Sequence, residues 1–290
     1  MRIVYHLGAH CTDEERLLRC LVANQPRLAE EGIVVPDPAL YRSLLRDTAV
    51  TLKGTTTSPE SQALVLTQIL GGEPARRMIL SWENFLAYPQ WVLRGGLYPQ
   101  AGDRVRALAD IFPDHETEVH LGIRNPATFL PALFQKQRNR SYEEFIEGTD
   151  PGALRWSEMI EGILSAAPGL PLTVWCDEDT PLIWPEVLVA VSGHAGAAGF
   201  EGADDLLASL MSATGLRRMR RFLTEHAPDS PERRRRVVSA FLDKFAQPER
   251  MEMDIELPDW TEELIDDLTR RYDEDVARIQ ALPGVTFLAP

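Results

Sequence analysis

Lysine and net positive charge are both scarce in this chain of 290 residues. Only three of its 30 basic residues are lysines, and they stand at positions 53, 136 and 244. Any site that requires a lysine must therefore draw on one of these three. Acidic residues outnumber basic ones by 44 to 30, which gives a formal net charge of -14. Because a general nucleic-acid binder needs a basic surface, we expect no nucleic-acid partner.

Cysteines and long apolar runs are also few. Cys11, Cys20 and Cys176 are too few and too scattered for a disulfide framework or a zinc site, so we expect no bound metal. No apolar run approaches the roughly 18 residues of a membrane span. The first ten residues lack the longer apolar stretch and cleavage site of a secretory signal. We therefore expect a cytoplasmic protein with no membrane partner.

Predicted strands and helices alternate through the first two thirds of the chain. Apolar runs predict strands at 2–7, 78–81, 117–123 and 171–176, with a short extended segment at 32–36. Helical spacing predicts helices at 12–31, 59–70, 101–112, from 126 onward and at 152–166. This alternation is typical of an α/β fold in which a central parallel sheet is flanked by helices.

The last third of the chain differs in character. From residue 204 to the end, the spacing predicts helices only, at 204–213, 215–226, 231–246 and 261–281. A loop rich in glycine and alanine over 193–203 separates the two regions. We expect a single domain with an α/β core over 1–195 and a helical C-terminal extension over 196–290 packed on it.

The turn after the first strand is the first place to look for a ligand, because open α/β sheets bind ligands beyond the carboxyl ends of their strands. Gly8 and Thr12 stand in this turn, and a predicted helix follows it. Within and after that helix, the chain has, in order, Asn24, Leu28, Gly32, Ile33 and Pro36. This order resembles the bacterial sulfotransferase-like family, in which a strand, a G-x-x-K-T-G-T-T turn and a helix precede an N…L…G-I-x-x-P segment.

Other stretches extend the resemblance over about residues 1–180. Residues 79–85 look like the family's second strand, residues 120–126 look like its third, and the closing residues 282–288 are similar to some bacterial members. The resemblance implies a P-loop sulfotransferase fold that binds 3′-phosphoadenosine-5′-phosphosulfate (PAPS) or its product PAP. It implies that Glu83 is the catalytic base. It also implies that the nucleotide contacts are Gly8, Ala9, His10, Thr12 and Arg124, the last on the 3′-phosphate.

The turn departs from the family pattern at the positions that hold the 5′-phosphosulfate. Cys11 stands in place of the lysine, Asp13 in place of the glycine, and Glu14 and Glu15 in place of both hydroxyl residues. A serine that usually joins the arginine on the 3′-phosphate is replaced by Ala132. Each change removes a favourable contact or adds a negative charge where the donor's anion would lie.

The same residues predict a helix that supplies its own anions. Thr12 followed by Glu15 matches a capping box, which satisfies the unpaired N–H groups at a helix start. A carboxylate about 4 Å from a phosphate costs roughly 4 kcal/mol at an effective dielectric constant of 20, or about a thousandfold in affinity. We expect an acidic helix cap in place of the phosphate loop, with sulfuryl transfer lost or much reduced. The alternative is an active PAPS-dependent sulfotransferase that acts on a hydroxyl acceptor with altered donor contacts.

Several of these residues also have ordinary structural interpretations. Glu83 could be a capping or ion-paired carboxylate, and Ser81 beside it is a weaker catalytic candidate. Arg124 could pair with an acidic residue instead of a phosphate. His6 and His10 span a strand end and a turn, so satisfied buried histidines are favoured over metal ligands.

Two further basic features have a structural interpretation as well. Lys53 begins a stretch that superficially resembles a phosphate loop, but Ser58 and Pro59 predict a helix start directly after it. The arginine runs at 217–221 and 233–236 lie in predicted helices. The favoured interpretation is a solvated face paired with acidic neighbours. The alternative is an anion site or a partner surface.

Overall fold

The computed structural model describes residues 1–137, 140–251 and 257–290. The strands are β1 (Arg2–His6), β2 (Ile33–Val34), β3 (Arg77–Ser81), β4 (Glu116–Ile123), β5 (Leu172–Cys176) and β6 (Val285–Leu288). The helices up to residue 135 are α1 (Arg16–Ala23), α2 (Gln25–Ala29), α3 (Pro38–Leu52), α4 (Pro59–Leu70), α5 (Ala101–Ala109) and α6 (Pro126–Gln135). The later helices are α7 (Tyr142–Ile146), α8 (Trp156–Ala166), α9 (Thr180–Ser192), α10 (Asp205–Leu210), α11 (Ala213–Glu225), α12 (Pro231–Phe245), α13 (Pro248–Met251) and α14 (Glu262–Gln280).

All six strands are parallel and form one sheet in the order β2-β3-β1-β4-β5-β6. This confirms the predicted α/β fold with a central parallel sheet. The first strand lies in the middle, with His6 in register with Ser81 of β3 and His120 of β4. The carboxyl ends of these three strands therefore meet at one edge of the sheet, where the turn after β1 begins.

Helices cover both faces of the sheet, and successive residues of β1 point to opposite faces. Ile3 and Tyr5 belong to the core that lies under α3, α4, α5, α6 and α8. Val4 belongs to the core on the other face, with residues of α1, α2 and α9. Each of these side chains is fully buried, so neither face of the strand is free to meet a ligand.

The chain between β1 and β3 contains more helices than predicted. The predicted helix over 12–31 is two helices, α1 and α2, that meet at Asn24. Pro26 explains the break, because a proline in a helix interior removes one backbone hydrogen bond and clashes with the preceding turn. The prediction at 59–70 is confirmed by α4, whose N-cap Ser58 accepts a hydrogen bond from the N–H of Ser61. Lys53 directly follows α3, at the start of the loop that leads to Ser58.

The C-terminal part is helical with one exception. The prediction of helices only from residue 204 was wrong for the closing residues, because β6 pairs with β5 and completes the core sheet. This edge strand is too short to show a clear alternation of apolar and polar residues, so its conformation depends on its pairing with the neighbouring strand. Gly284, at φ +91°, allows the turn from α14 into the strand.

Two sets of helices from this part pack differently. Helix α14 packs on α6 and α8, and Asp275 accepts hydrogen bonds from the N–H groups of Trp156 and Ser157 at 2.7 and 3.1 Å. Helices α11 and α12 pack on each other around a smaller apolar cluster that includes Met219 and Val238. The C-terminal residues thus contribute both to the core and to a separate helical hairpin.

Candidate functional site

Several residues of the turn after β1 adopt a left-handed backbone conformation. Gly8 has φ +50°, and the non-glycine residues Cys11, Glu14 and Glu15 have φ +60°, +49° and +62°. A left-handed conformation costs a non-glycine residue roughly 1–2 kcal/mol, so contacts elsewhere must hold these residues in place. A Cβ atom at Gly8 would lie 3.9 Å from the Cα atom of Glu83, which shows how closely the ends of β1 and β3 approach.

The predicted capping box of Thr12 and Glu15 was wrong, because the N-cap residue of α1 is Glu15 and it makes no side-chain cap hydrogen bond. Helix α1 begins at Arg16, four residues after Thr12, whose hydroxyl instead donates to the carbonyl of Ala9 at 2.7 Å. The Asp13 carboxylate accepts from the N–H groups of Glu15 and Leu17 at 3.3 and 3.0 Å. The carboxylate that is hydrogen-bonded at the start of α1 is therefore that of Asp13, two residues before the N-cap residue Glu15.

The other two acidic residues of the turn point to arginines. The Glu15 carboxylate pairs with Arg42 of α3 at 2.6 Å. That of Glu14 lies 3.9 Å from Arg16. Because these pairs are partly exposed, each contributes little to stability. They do, however, mean that two arginines near the turn are already paired with carboxylates of the chain.

Arg124, the expected 3′-phosphate contact, directly follows β4, and its side chain donates a hydrogen bond to the turn. One Nη atom donates to the carbonyl of Cys11, and Nε donates to the hydroxyl of Thr128 at 3.0 Å. Its backbone carbonyl accepts from the indole N–H of Trp156 at 2.8 Å. The guanidinium thus donates to two acceptors of the protein itself, one of them in the turn.

His10 is a satisfied buried histidine. Its Nδ1 lies 2.7 Å from the hydroxyl of Tyr98, and its Nε2 lies 3.0 Å from Oδ1 of Asn84. A neutral imidazole that donates from Nε2 and accepts at Nδ1 satisfies all three groups. Burial lowers the pKa of His10, which the Asn84 hydrogen bond and the charge of Glu83 only partly oppose. The ring therefore carries no positive charge with which to attract a phosphate at neutral pH.

His6 and Ser81 form a second buried pair. The histidine Nδ1 lies 2.9 Å from the serine hydroxyl, and the ring stacks on Trp175 of β5 with a centroid distance of 6.0 Å. Burial lowers the pKa of His6, against the opposing charge of Asp13. Since only 5% of Ser81 is exposed, its hydroxyl has little access to a substrate.

Glu83, the expected catalytic base, is paired with Lys136. Its Oε2 atom lies 2.8 Å from the ammonium nitrogen, which comes from the end of α6. Burial lowers the pKa of Lys136, but the hydrogen bond to Glu83 and the nearby Cys11 more than offset this, so the pKa is raised. A lysine distant in sequence thus lies at the same edge of the sheet as Glu83.

Asp177 completes the polar edge at the end of β5. Burial raises its pKa to about 7; the charges of Glu178 and Asp13 act in the same direction, and those of Arg124 and Arg16 oppose it. Sequence reasoning missed both Asp177 and the position of Lys136. A signal existed for the first, because Asp177 directly follows the predicted strand 171–176.

Arginines of both runs, in α11 and α12, pair with acidic neighbours, whereas Arg217, Arg218 and Arg236 form no ion pair with the described residues. Arg220 lies 2.9 Å from Asp204, and Arg235 lies 2.6 Å from Glu186. Within the residues that the structure describes, neither run makes an ion pair or hydrogen bond with the turn after β1. These contacts agree with the interpretation of a paired, solvated face.

The structure brings the predicted site residues to one edge of the sheet. Gly8, Ala9, His10, Thr12, Glu83 and Arg124 all lie at or directly after the carboxyl ends of β1, β3 and β4. Within the described ranges, no group of three or more His, Cys, Asp or Glu residues is arranged to hold a metal ion. No helix in those same ranges is long and apolar enough to cross a membrane.

Comparison with known proteins adds no assignment. A scan against protein-family models gives no match for this chain, and a search of curated proteins gives none either.

Proposed function

We propose that this chain is a sulfotransferase-like binding or scaffold protein that has lost the 5′-phosphosulfate site and transfers no sulfuryl group. The observation that carries the proposal is the carboxylate of Asp13 at the start of α1. It accepts from the N–H groups of Glu15 and Leu17, which lie at the end of the helix that attracts anions. A bound phosphosulfate would have to displace this carboxylate or lie beside it.

The charges around the turn support the same conclusion. Arg42 and Arg124, two cations close to the turn, already contact Glu15 and the carbonyl of Cys11. Moving Arg124 onto a ligand would leave the buried Cys11 carbonyl unpaired, which typically costs about 1–3 kcal/mol, whereas the partly exposed Glu15–Arg42 pair adds little. Added to the repulsion from Asp13, this cost favours a turn that is closed by its own residues.

The test is a calorimetric titration of the full chain with PAP at low salt. We expect no heat, and no shift in thermal unfolding, at millimolar ligand. Micromolar binding that is lost in Arg124→Ala but kept in Arg2→Ala would overturn the proposal, because Arg2 lies at the opposite end of β1. A search for the acceptor of the sulfuryl group would then replace the search for a protein partner.

One observation favours a second candidate function, an active PAPS-dependent sulfotransferase. Lys136 pairs with Glu83 at 2.8 Å, at the same edge of the sheet as the turn after β1, so an ammonium could replace the missing loop lysine. In that mechanism, the donor would lie on the turn from Gly8 to Thr12. Glu83 would take the proton of the acceptor hydroxyl, and Lys136 would neutralise charge on the leaving phosphate.

The two candidates differ in what Lys136→Gln does. If the enzyme is active, this variant abolishes PAP binding and the release of PAP from PAPS, whereas Lys244→Gln in α12 leaves both unchanged. If the turn binds no nucleotide, neither variant has an effect because wild type already gives no signal. Lys244 is a matched control because it removes the same charge from an exposed position.

A further inference from the structure

A cavity of about 290 Å³ lies between α3, α5 and the segment that follows β3. Its walls include four aromatic side chains, Trp82, Phe85, Tyr88 and Trp91. A second cavity of about 420 Å³ adjoins it and shares Ala87, Trp91 and Arg104. Since an apolar cavity of about 150 Å³ can hold a benzene molecule, the aromatic cavity has room for a body of one or two rings.

The aromatic walls are held by edge-to-face contacts. The ring centroids of Trp82 and Tyr88 are 6.2 Å apart at 90°, and those of Tyr88 and Trp91 are 5.6 Å apart at 83°. This arrangement is the favourable one for aromatic pairs, so the walls exist without a ligand. Trp91 nevertheless keeps 42% of its surface exposed, and Val50 of α3 keeps 60%.

The positive charge at this cavity is not matched by carboxylates. Arg104 lines both cavities, and Arg94 lines the larger one. Within the described ranges, neither guanidinium forms an ion pair or a side-chain hydrogen bond. By contrast, Arg46 at the same cavity pairs with Asp47 at 2.8 Å.

We propose that this cavity binds a small aromatic carboxylate. The ring system lies among the four aromatic side chains, and the carboxylate meets Arg104 at the junction of the two cavities. A guanidinium suits this role because its planar fork of N–H donors matches the two oxygens of a carboxylate. The inference does not depend on whether a nucleotide binds at the turn after β1.

The experiment compares 2-naphthoate with its neutral counterpart 2-naphthamide by calorimetric titration of the full chain. We expect 2-naphthoate to bind at least about tenfold more tightly, which is the usual size of a charge-assisted hydrogen bond. Arg104→Gln should reduce the affinity for 2-naphthoate to that for 2-naphthamide. Arg76→Gln, an exposed arginine at the amino end of β3, is the matched control and should change neither affinity.

A second variant keeps the test informative if Arg104→Gln does not fold. Ala49→Phe fills the aromatic cavity from α3 and should abolish the binding of both ligands. The proposal is overturned if neither ligand binds wild type, if both bind equally, or if the binding of 2-naphthoate survives Arg104→Gln or Ala49→Phe in a folded protein. The PAP titration has a separate readout, so either proposal can fail without the other.

Discussion

Replacing Asp177 by asparagine should stabilise the protein increasingly as the pH rises. Burial raises the pKa of this carboxyl to about 7 from an ordinary value of 3.8. The folded protein therefore keeps a proton that the unfolded chain releases between about pH 4 and pH 7. Because the folded state binds more protons in this window, the free energy of unfolding falls as the pH rises through it.

The size of the effect follows from the two pKa values. A difference of one between the folded and unfolded pKa corresponds to about 1.4 kcal/mol, so the full cost of ionising Asp177 is about 4 kcal/mol. Integrated over pH, the cost is about 2 kcal/mol at pH 5.5 and about 4 kcal/mol at pH 8.5. Asp177→Asn has no charge to bury, and its advantage over wild type should grow by about 2 kcal/mol across this range.

Urea unfolding of both proteins at pH 5.5, 6.5, 7.5 and 8.5 measures this difference. Asp243→Asn is the matched control, because it makes the same change of net charge on an exposed side chain of α12. If the difference between Asp177→Asn and wild type stays constant over the four pH values, Asp177 does not titrate in this range and the reasoning fails.

Three further substitutions test the packing and the turn by thermal or urea unfolding. Gly102→Ala should destabilise the fold by about 1–3 kcal/mol, since the new Cβ would lie 2.5 Å from the carbonyl oxygen of Gly162, whereas Gly162→Ala meets nothing within 4 Å and should not. Equal effects of the two would refute the close contact of α5 and α8. Asp13→Ala should cost about 1 kcal/mol because the N–H of Leu17 at the start of α1 loses its acceptor, and Asp13→Asn, which keeps an acceptor oxygen, should cost much less; equal losses would show that this hydrogen bond does not stabilise the fold. Asp275→Ala should cost about 2–4 kcal/mol because it leaves buried N–H groups on α8 unpaired, and a loss under 1 kcal/mol would contradict this.

The fold could be predicted from local patterns because those patterns carry their own physical cause. Strands β1, β3, β4 and β5 each contain a short apolar run that helices bury on both faces. Helix α4 begins where Ser58 can cap it and ends at Gly71, which adopts the left-handed conformation at φ +63°. For these elements, burial in the fold reinforced a preference that the local sequence already had.

The helix start near the first turn shows where local patterns are ambiguous. Thr12, Asp13 and Glu15 can all act in a cap, and spacing alone favoured the pair of Thr12 and Glu15. In the folded chain, the Thr12 hydroxyl donates to the carbonyl of Ala9 and the Glu15 carboxylate pairs with Arg42 of α3, whereas Asp13 accepts from the N–H of Leu17. The contact of Glu15 with α3 joins distant segments, so the local spacing of residues does not reveal it.

The sequence by itself determined the α/β alternation, the buried strands and the acidic character of the turn, because each depends on residues within a few positions of one another. The tertiary structure alone decided that Lys136 meets Glu83, that β6 pairs with β5, and that Arg104 faces an aromatic cavity. These contacts join residues from separate elements, and periodicity carries no information about which elements will become neighbours.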